Sequence, residues 1–336
     1  MVVANKRDSV MWRLKLALKI AGGKLSLIRK ALRAFGYYRH GPMDSPTYAI
    51  GVFNKHAMRA KVLIGKEGQE IDLWPGRVEI PRDRPIASAN GGTCLELGPG
   101  ESLLTMLVAK AVGFERTVFV DKGVQIRNDI RPYLELVTHL RKLGYALPPI
   151  DPRDSVESLL PKFGAVYLTD GLESLRSVPD ASIDFSFSHA VLEHVPRNEA
   201  KDFLYELMRV LSPDGFSSHT VDLKDHLGGS MNHLRFTEGF WESSAVRDSG
   251  IYTNRLRFHE WMELLKANGS TYQILWKNYF PACLPPSHLA SPFRALGEQD
   301  LRISGFDIVM RMNPGLEGRS CERDGLHESV LCPSGP

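Results

Sequence analysis

The sequence predicts an α/β fold in which a mostly parallel sheet of seven strands, the last one antiparallel, is doubly wound by helices. Two observations carry this prediction. From Thr93 onward, short apolar runs alternate with amphipathic stretches of helical period, which is the pattern of consecutive βα units. The composition is that of an ordinary globular chain, with 43% hydrophobic and 24% charged residues. The 336 residues are enough for one elaborated domain or two small ones.

We assign the α/β domain to residues 91–312. Its predicted strands are 93–97, 117–121, 165–169, 183–187, 215–222, 272–280 and 303–312. Its predicted helices are 102–112, 131–143, 155–162, 198–211 and 258–267. After the fifth strand the periodicity disappears, and His, Gly, Asn and Arg become frequent. This change indicates a small cap insertion at 223–258.

The basic charge is concentrated at one end, where residues 1–41 carry ten Lys and Arg against one acidic residue. Their net charge is +9, and the rest of the chain is at −6. Apolar residues recur at steps of three and four, which predicts a basic amphipathic helix over residues 8–35 with a kink or break at Gly22-Gly23. The apolar residues of this pattern are Leu14, Leu18, Ala21, Leu25, Ile28, Leu32 and Phe35. Such a helix lies on an anionic membrane surface, binds nucleic acid or packs on the neighbouring domain, and the sequence leaves all three open.

Two further segments are predicted to have little regular structure. Residues 42–90 are rich in Gly and Pro, with short β-like runs at 60–64 and 77–80, and are expected to form an irregular segment. Residues 313–336 include ten Gly, Pro and Ser, which predicts a disordered tail.

Three sequence features favour a cytoplasmic protein. No run approaches the ~18 apolar residues that a membrane-spanning helix needs. The first apolar stretch is interrupted by lysines and is followed by no small-residue cleavage site, so a secretory signal is not expected. The four cysteines show no Cys-x-x-Cys and no metal-ligand spacing, so we expect neither a disulfide scaffold nor a metal site.

A glycine-rich turn, ELGPGES from Glu96 to Ser102, follows the first predicted strand. Glycines at a strand-to-helix turn allow the backbone to approach a ligand at the carboxyl end of a sheet. Asp121 ends the second strand, about 25 residues after Glu96, a distance at which a carboxylate reaches ribose hydroxyls. The pair selects a ligand that bears a nucleoside. NAD is the second choice, because the dinucleotide fingerprint is incomplete here.

Several motifs follow one another between Thr93 and Asp222: LELGPGES, VFVD, TDG, SHAVLEH and LSPDG. In this order and spacing, the segment resembles the class I S-adenosylmethionine-dependent methyltransferases with a type 11-like core. The resemblance covers over a third of the chain. It implies a Rossmann-like fold, a working transferase and S-adenosyl-L-methionine as the cofactor. The chain departs from the family pattern at Lys122-Gly123 and at Ser212 to Gly215, and neither departure removes a cofactor contact.

Residue by residue, the resemblance implies contacts with four parts of the cofactor. These parts are the methionine moiety, the ribose, the adenine and the sulfonium. In chain order these residues are Glu96, Gly98, Pro99, Gly100, Asp121, Lys122, Asp170, Gly171, Ser188 and His189. Ser188 and His189, at the end of the fourth strand, are implied to face the substrate as well.

Methyl transfer from a sulfonium is an in-line displacement that depends mostly on alignment, but an oxygen nucleophile gains from a general base. Histidine suits this role near pH 7. We predict His226 and His194 as candidate bases and Asp222 as an orienting or basic carboxylate. Arg235 and Arg257 are candidates for clamping an anionic substrate. Packing and surface charge are the alternative roles for all five, and the sequence leaves them open.

The cap, with runs such as VDLKDHLGG and NHLRFTEGFW, loosely resembles bacterial methyltransferases of surface-polysaccharide and other glycan or lipid biosynthesis. We therefore predict O-methylation of a glycan or lipid-linked acceptor, with peripheral contact at the inner membrane surface through residues 8–35 as one option. The alternatives are a small-molecule C- or N-methyltransferase and a non-catalytic cofactor-binding protein. Nucleic acid fits poorly as a partner, because the core and cap lack a distributed basic surface. The oligomeric state is left open.

Overall fold

The computed structural model describes residues 6–24, 44–59, 82–85, 89 and 91–311. Within them, seven strands form one sheet in the order β3-β2-β1-β4-β5-β7-β6. The strands are Thr93–Leu97 (β1), Arg116–Val120 (β2), Ala165–Leu168 (β3), Ile183–His189 (β4), Leu211–Asp222 (β5), Thr271–Tyr279 (β6) and Ile303–Arg311 (β7). Strands β1 to β5 pair in parallel, and β7 runs antiparallel to both β5 and β6. The predicted seven-stranded sheet with an antiparallel last strand is confirmed.

Helices connect and cover the strands. They are Lys6–Lys24 (α1), Pro46–Met58 (α2), Thr105–Val112 (α3), Arg131–Lys142 (α4), Val156–Lys162 (α5), Leu172–Ser177 (α6), Ala200–Val210 (α7), Glu238–Trp241 (α8), Ser244–Arg247 (α9), Phe258–Ala267 (α10), Ser291–Arg294 (α11) and Glu298–Arg302 (α12). Single turns of 3₁₀ helix lie at Leu192–His194, Asn232–Arg235 and Pro286–His288.

Each face of the sheet has its own apolar layer, because successive side chains of a strand point to opposite faces. In β1, Cys94 packs with α2, α3, α4 and α5, whereas Leu95 and Leu97 pack with α6, α7 and α10. In β4, Phe185 and Phe187, which are two positions apart, both belong to the first layer. Burial on both faces leaves the carboxyl edge of the parallel strands as the place where loops and ligands meet.

Helix α2 corrects the prediction that residues 42–90 are irregular. Ser45 precedes the helix and Pro46 occupies its first turn, a common start signal because proline needs no amide partner there. Ile50 and Phe53 are buried against the sheet. The many Gly and Pro residues around this stretch led to the prediction of irregular structure, although 13 residues of it form a helix.

Residues 223–258, the segment predicted to form a cap, contain an apolar cluster that includes Trp241 and Ile251. Helix α1 packs on this cluster through Trp12, Leu16 and Ile20. The Trp12 ring stands edge-on to Phe236, with the ring centroids 5.9 Å apart. Helix α1, at Lys6–Lys24, is therefore docked on this cluster.

The docking face of α1 is not the predicted apolar stripe. Leu14 is 52% exposed and Leu18 is 40% exposed, because both point away from the cap. The helix also runs past Gly22-Gly23 to Lys24 without the predicted break. Residues 25–41, the β-like runs at 60–64 and 77–80, and the tail at 313–336 lie outside the described residues.

No helix among the described residues is long and apolar enough to cross a membrane. In the same part of the chain, no group of three His, Cys, Asp or Glu side chains is arranged to hold a metal ion. Cys94 and Cys283 are both free thiols.

Candidate active site

A turn of two left-handed glycines closes the carboxyl end of β1. Gly98 has φ +61° and Gly100 has φ +70°. The Gly98 amide donates to the Val120 carbonyl at 2.8 Å, which ties the turn to the end of β2. A Cβ on Gly98 would lie 2.6 Å from Cγ2 of Val191, just after β4. Only glycine fits this position, and Pro99 stiffens the turn between the two glycines.

Asp121 lies directly after β2, beside this turn. Its carboxylate accepts hydrogen bonds from the amides of Gly100 at 3.3 Å and Lys122 at 2.7 Å. Burial raises the pKa of Asp121, and the two amides oppose that rise. The side chain therefore presents carboxylate oxygens at the edge where β1 and β2 end.

Glu96 is a buried carboxyl group behind the same turn. It accepts a hydrogen bond from the Thr105 hydroxyl of α3. Burial raises the pKa of Glu96 to about 8, and the Asp121 carboxylate adds to the rise against the opposing bond from Thr105. Near pH 7 Glu96 is therefore mostly protonated, so it contributes polarity to the turn but little charge.

A third turn follows β3 and approaches Asp121. Lys122 and Asp170 form an isolated antiparallel bridge. The Gly171 amide donates to the Asp121 carbonyl at 2.9 Å, and Gly171 has φ +56°. The predicted ribose and adenine residues are thus neighbours, although they come from separate strands.

Ser188 and His189 end β4 and point to opposite faces of the sheet. Ser188 is fully buried, and its hydroxyl lies 2.7 Å from Nδ1 of His219. His189 lies on the face that α2 covers, with Nδ1 3.4 Å from Nε2 of His56. Because the Ser188 hydroxyl is paired with His219, the predicted contact of Ser188 with the cofactor would be made by its backbone.

Two of the three predicted catalytic residues are in contact. His194 ends the 3₁₀ turn after β4, and His226 follows β5, the neighbouring strand. Their ring centroids are 4.8 Å apart. The Nδ1 of His194 lies 2.8 Å from the Tyr252 carbonyl oxygen, which can only accept a hydrogen bond. In the neutral His194 ring, Nδ1 therefore carries the proton and Nε2 carries the lone pair.

Asp222, the third predicted catalytic residue, ends β5. Its Oδ1 accepts from the Lys224 amide at 3.0 Å, and its Oδ2 lies 3.5 Å from the Lys224 ammonium. The nearby Glu193 is buried, and burial raises its pKa well above the usual range, with the charge of Asp222 adding to the rise. Glu193 was not among the predicted site residues.

The two arginines predicted to bind an anionic substrate differ in their surroundings. Arg235 lies over the Trp12 ring, 5.6 Å from its centroid, and donates to the Asn232 side chain at 3.0 Å. Arg257 is fully buried, and among the described residues its guanidinium donates to backbone carbonyls, including that of Ile303 at 2.5 Å. This arrangement favours a structural role for Arg257, joining the end of β5 to the start of β7.

Part of the chain matches a known protein family. Residues 149–218, which include β3 and β4, match the family model described as "Methyltransferase domain". The chain therefore contains a methyltransferase domain. No curated protein sequence matches it.

Solved structures similar to the methyltransferase include three from different organisms. The YcgJ protein of Bacillus subtilis is 16% identical, with a TM-score of 0.36 and coverage of 67% of this chain and 94% of that one. An arsenic(III) S-adenosylmethionine methyltransferase of Chlamydomonas reinhardtii is 17% identical, with a TM-score of 0.38 and coverage of 69% and 67%. An S-adenosylmethionine-dependent methyltransferase of Mesorhizobium loti is 16% identical, with a TM-score of 0.35 and coverage of 66% and 92%.

The residues at the carboxyl edge fit S-adenosylmethionine. Gly98 and Gly100 open the backbone turn for close approach, and the Asp121 carboxylate offers acceptors for two ribose hydroxyls. Gly171 brings the third turn to the same place. When bound, the cofactor supplies a methyl group already activated by the positive sulfur.

The structure also brings residues to this edge that the sequence analysis missed. Lys55, His56 and Arg59 of the α2 region lie near the carboxyl ends of β4 and β5 and at the middle of β7. A start signal at Ser45-Pro46 was present in the sequence. The contact of His56 with His189 joins residues 133 positions apart, and no local pattern indicates it.

Proposed function

We propose that the methyltransferase O-methylates a hydroxyl group of a glycan or lipid-linked acceptor, with His194 as the general base. The hydrogen bond between His194 Nδ1 and the Tyr252 carbonyl carries this proposal. It fixes the tautomer in which Nε2 accepts a proton. The acceptor oxygen forms a bond to the methyl carbon, the electron pair of the broken C–S bond stays on sulfur, and the hydroxyl proton passes to Nε2.

His226 and Asp222 act beside His194 in this proposal. The two imidazole rings are inclined at 64° to each other, so His226 packs edge-on against the proposed base and restricts its rotation. Asp222, held by Lys224, supplies negative charge at the same edge and favours the imidazolium that forms on proton transfer.

A methyl-transfer assay with a labelled methyl group tests this function. Hydroxyl acceptors of glycan and lipid-linked type are compared with matched amine acceptors and with carbon nucleophiles. We expect the label on hydroxyl oxygen. Label on nitrogen or carbon alone would favour the small-molecule alternative, and cofactor binding without transfer to any acceptor would favour a non-catalytic role.

The exposed side of α1 supports an acceptor at a membrane surface. Trp12, Leu16 and Ile20 fix the helix to the cap, while Leu14 and Leu18 face outward and the exposed Arg13 directly precedes Leu14 in the sequence. Exposed leucines next to basic side chains are typical of helices that lie in the headgroup region of anionic membranes. We infer that α1 holds the cap against the inner membrane surface.

Replacing both exposed leucines should weaken vesicle binding. Leu14→Ser/Leu18→Ser is expected to lower the affinity for vesicles of anionic lipid about tenfold, since two half-exposed leucines lose their insertion. Flotation at low salt measures this. Val124→Ser is the matched control, because Val124 is 73% exposed and belongs to the connection that follows β2. Equal flotation of the double variant and the wild type would limit α1 to packing on the cap.

A further inference from the structure

A polar network lies between α2 and the sheet, near the carboxyl ends of β4 and β5 and at the middle of β7. We call it the α2 network; its members are Lys55, His56, Arg59, His189, Ser218, Thr220 and Asp307. His189, Thr220 and Asp307 are direct cross-strand neighbours in one row of the sheet. The row faces α2, so side chains of the helix complete the network from above.

Charged groups close one end of the α2 network. Arg59 is 1% exposed, and its Nη2 lies 2.5 Å from Oδ2 of Asp307. Lys55 donates to the Thr220 hydroxyl at 3.0 Å, and Thr220 donates to Oδ1 of Asp307 at 2.6 Å. The two cations hold the pKa of Asp307 below its usual value despite burial. With Lys55, Arg59 and Asp307 all charged, the network has a net charge of +1.

The position of Arg59 fixes the tautomer of His56. Nδ1 of His56 lies 2.9 Å from the Ser218 hydroxyl and 3.4 Å from Nη1 of Arg59. A guanidinium has only donors, so Nδ1 has to be the acceptor. Burial, followed by the charge of Arg59, lowers the pKa of His56 well below its usual value, and the ring is neutral. Its single proton is therefore on Nε2.

The Nε2 proton of His56 determines which ring nitrogen of His189 carries a proton. Nε2 of His56 lies 3.4 Å from Nδ1 of His189, so Nδ1 of His189 accepts this proton's hydrogen bond. Burial lowers the pKa of His189 to about 4, with Lys55 as the next cause, and this ring is neutral too. Its own proton is then on Nε2, on the side of the ring away from His56.

We propose that His189 donates a hydrogen bond from Nε2 to an oxygen of the acceptor, and that His56 is the positioning residue that sets this tautomer. The inference rests on the proposed function and assigns opposite duties to two histidines at one edge. His194 presents a lone pair at Nε2, whereas His189 presents a proton. An acceptor that uses both carries a second oxygen near the reacting hydroxyl, and the net charge of the α2 network favours an anionic oxygen.

The tautomer of His189 can be read directly. Histidine-selective ¹⁵N labelling of the full chain, with the His189→Gln variant to assign the signal, distinguishes protonated from bare ring nitrogens. We expect a bare Nδ1 and a protonated Nε2 on His189 between pH 6 and 8, with and without S-adenosylhomocysteine. The charged or titratable groups that face the pair are Lys55, Arg59, His219 and Asp307. A protonated Nδ1 on His189 would overturn the inference, whatever the acceptor is.

Two variants of His56 separate positioning from packing. In the structure the ring centroids of His56 and Phe187 are 5.4 Å apart and the rings are stacked. His56→Phe keeps an aromatic ring in this contact but removes the donor to His189. We expect the His189 proton to redistribute between its nitrogens and kcat/KM to fall about fivefold to tenfold, the usual effect of one neutral hydrogen bond. His56→Gln restores a donor at the same reach and should recover both readouts.

Affinity for S-adenosylhomocysteine provides the folding control for both variants, and we expect it within about twofold of wild type. Loss of activity in His56→Phe with an unchanged His189 tautomer would contradict the positioning role. Failure of His56→Gln to restore the tautomer would contradict it as well. If the tautomer follows the expected pattern but no hydroxyl acceptor is methylated, the proposed function fails and the assignment of His189 stands.

Discussion

His194→Asn is expected to lower turnover with a hydroxyl acceptor by roughly 10² to 10⁴, the usual contribution of a general base. Asparagine keeps an amide donor near the position of Nδ1, so the bond to the Tyr252 carbonyl is retained while the lone pair of Nε2 is lost. The defect should lie in kcat, because the base acts in the transition state and does not contribute to cofactor binding. Single-turnover rates measured across pH provide the check.

His226→Ala and Asp222→Ala complete this series. We expect smaller losses than for His194, because each acts on the base and not on the acceptor proton. His288→Ala is the matched control, since this histidine is exposed on a 3₁₀ turn outside the site. Should all three site variants keep near-normal turnover and an unchanged pH profile, general-base catalysis by this set is wrong.

Gly98→Ala is expected to destabilise the protein by about 2 to 5 kcal/mol. A left-handed φ costs alanine about 1 to 2 kcal/mol, and overpacking typically costs 1 to 3 kcal/mol more. The new methyl group would press on Val191, whose Cγ2 lies 2.6 Å from the Cβ position. Urea unfolding measures the free energy of unfolding, and the displaced turn should weaken S-adenosylhomocysteine binding in parallel.

Two controls separate the causes of this effect. Gly228→Ala introduces a methyl group where no atom lies within 4 Å of the added Cβ, and it should change stability little. Gly98→Ala/Val191→Ala removes the steric contact but keeps the unfavourable φ, so about half of the loss should return. An undiminished stability and affinity in Gly98→Ala would show that the turn does not depend on glycine.

The parallel core could be predicted because each of its elements has a recognisable pattern within a short segment of the sequence. Strands β1, β2 and β3 are short, mostly apolar runs, and the glycine turn and Asp121 follow strand ends, where topology places ligand contacts. The sequence also placed His194 and His226 after adjacent strands, and they meet in the structure. These predictions required only the spacing of apolar residues, the residue types at turns and the expected order of the strands.

The remaining features depend on contacts between distant segments. Leu14 and Leu18 gave a clear apolar stripe, yet α1 docks through Trp12, because the cap offers an aromatic partner that the period cannot show. Arg257 was predicted to bind an anionic substrate, and in the structure its guanidinium is surrounded by carbonyl groups that lie more than 30 residues away in the sequence. In both cases the side chain's neighbours, and not its spacing, decide its role.

Calorimetric titration with S-adenosylhomocysteine tests the central claim, that the turn at Gly98 to Gly100 and the Asp121 carboxylate hold the cofactor. We expect one site per chain in the wild-type protein. In Asp121→Ala, affinity should fall roughly 10- to 150-fold, which corresponds to a charge-assisted hydrogen bond of about 1.5 to 3 kcal/mol. Asp129→Ala, which removes an exposed carboxylate paired with Arg131, should bind like the wild type. Unchanged affinity in a folded Asp121→Ala protein would contradict the account.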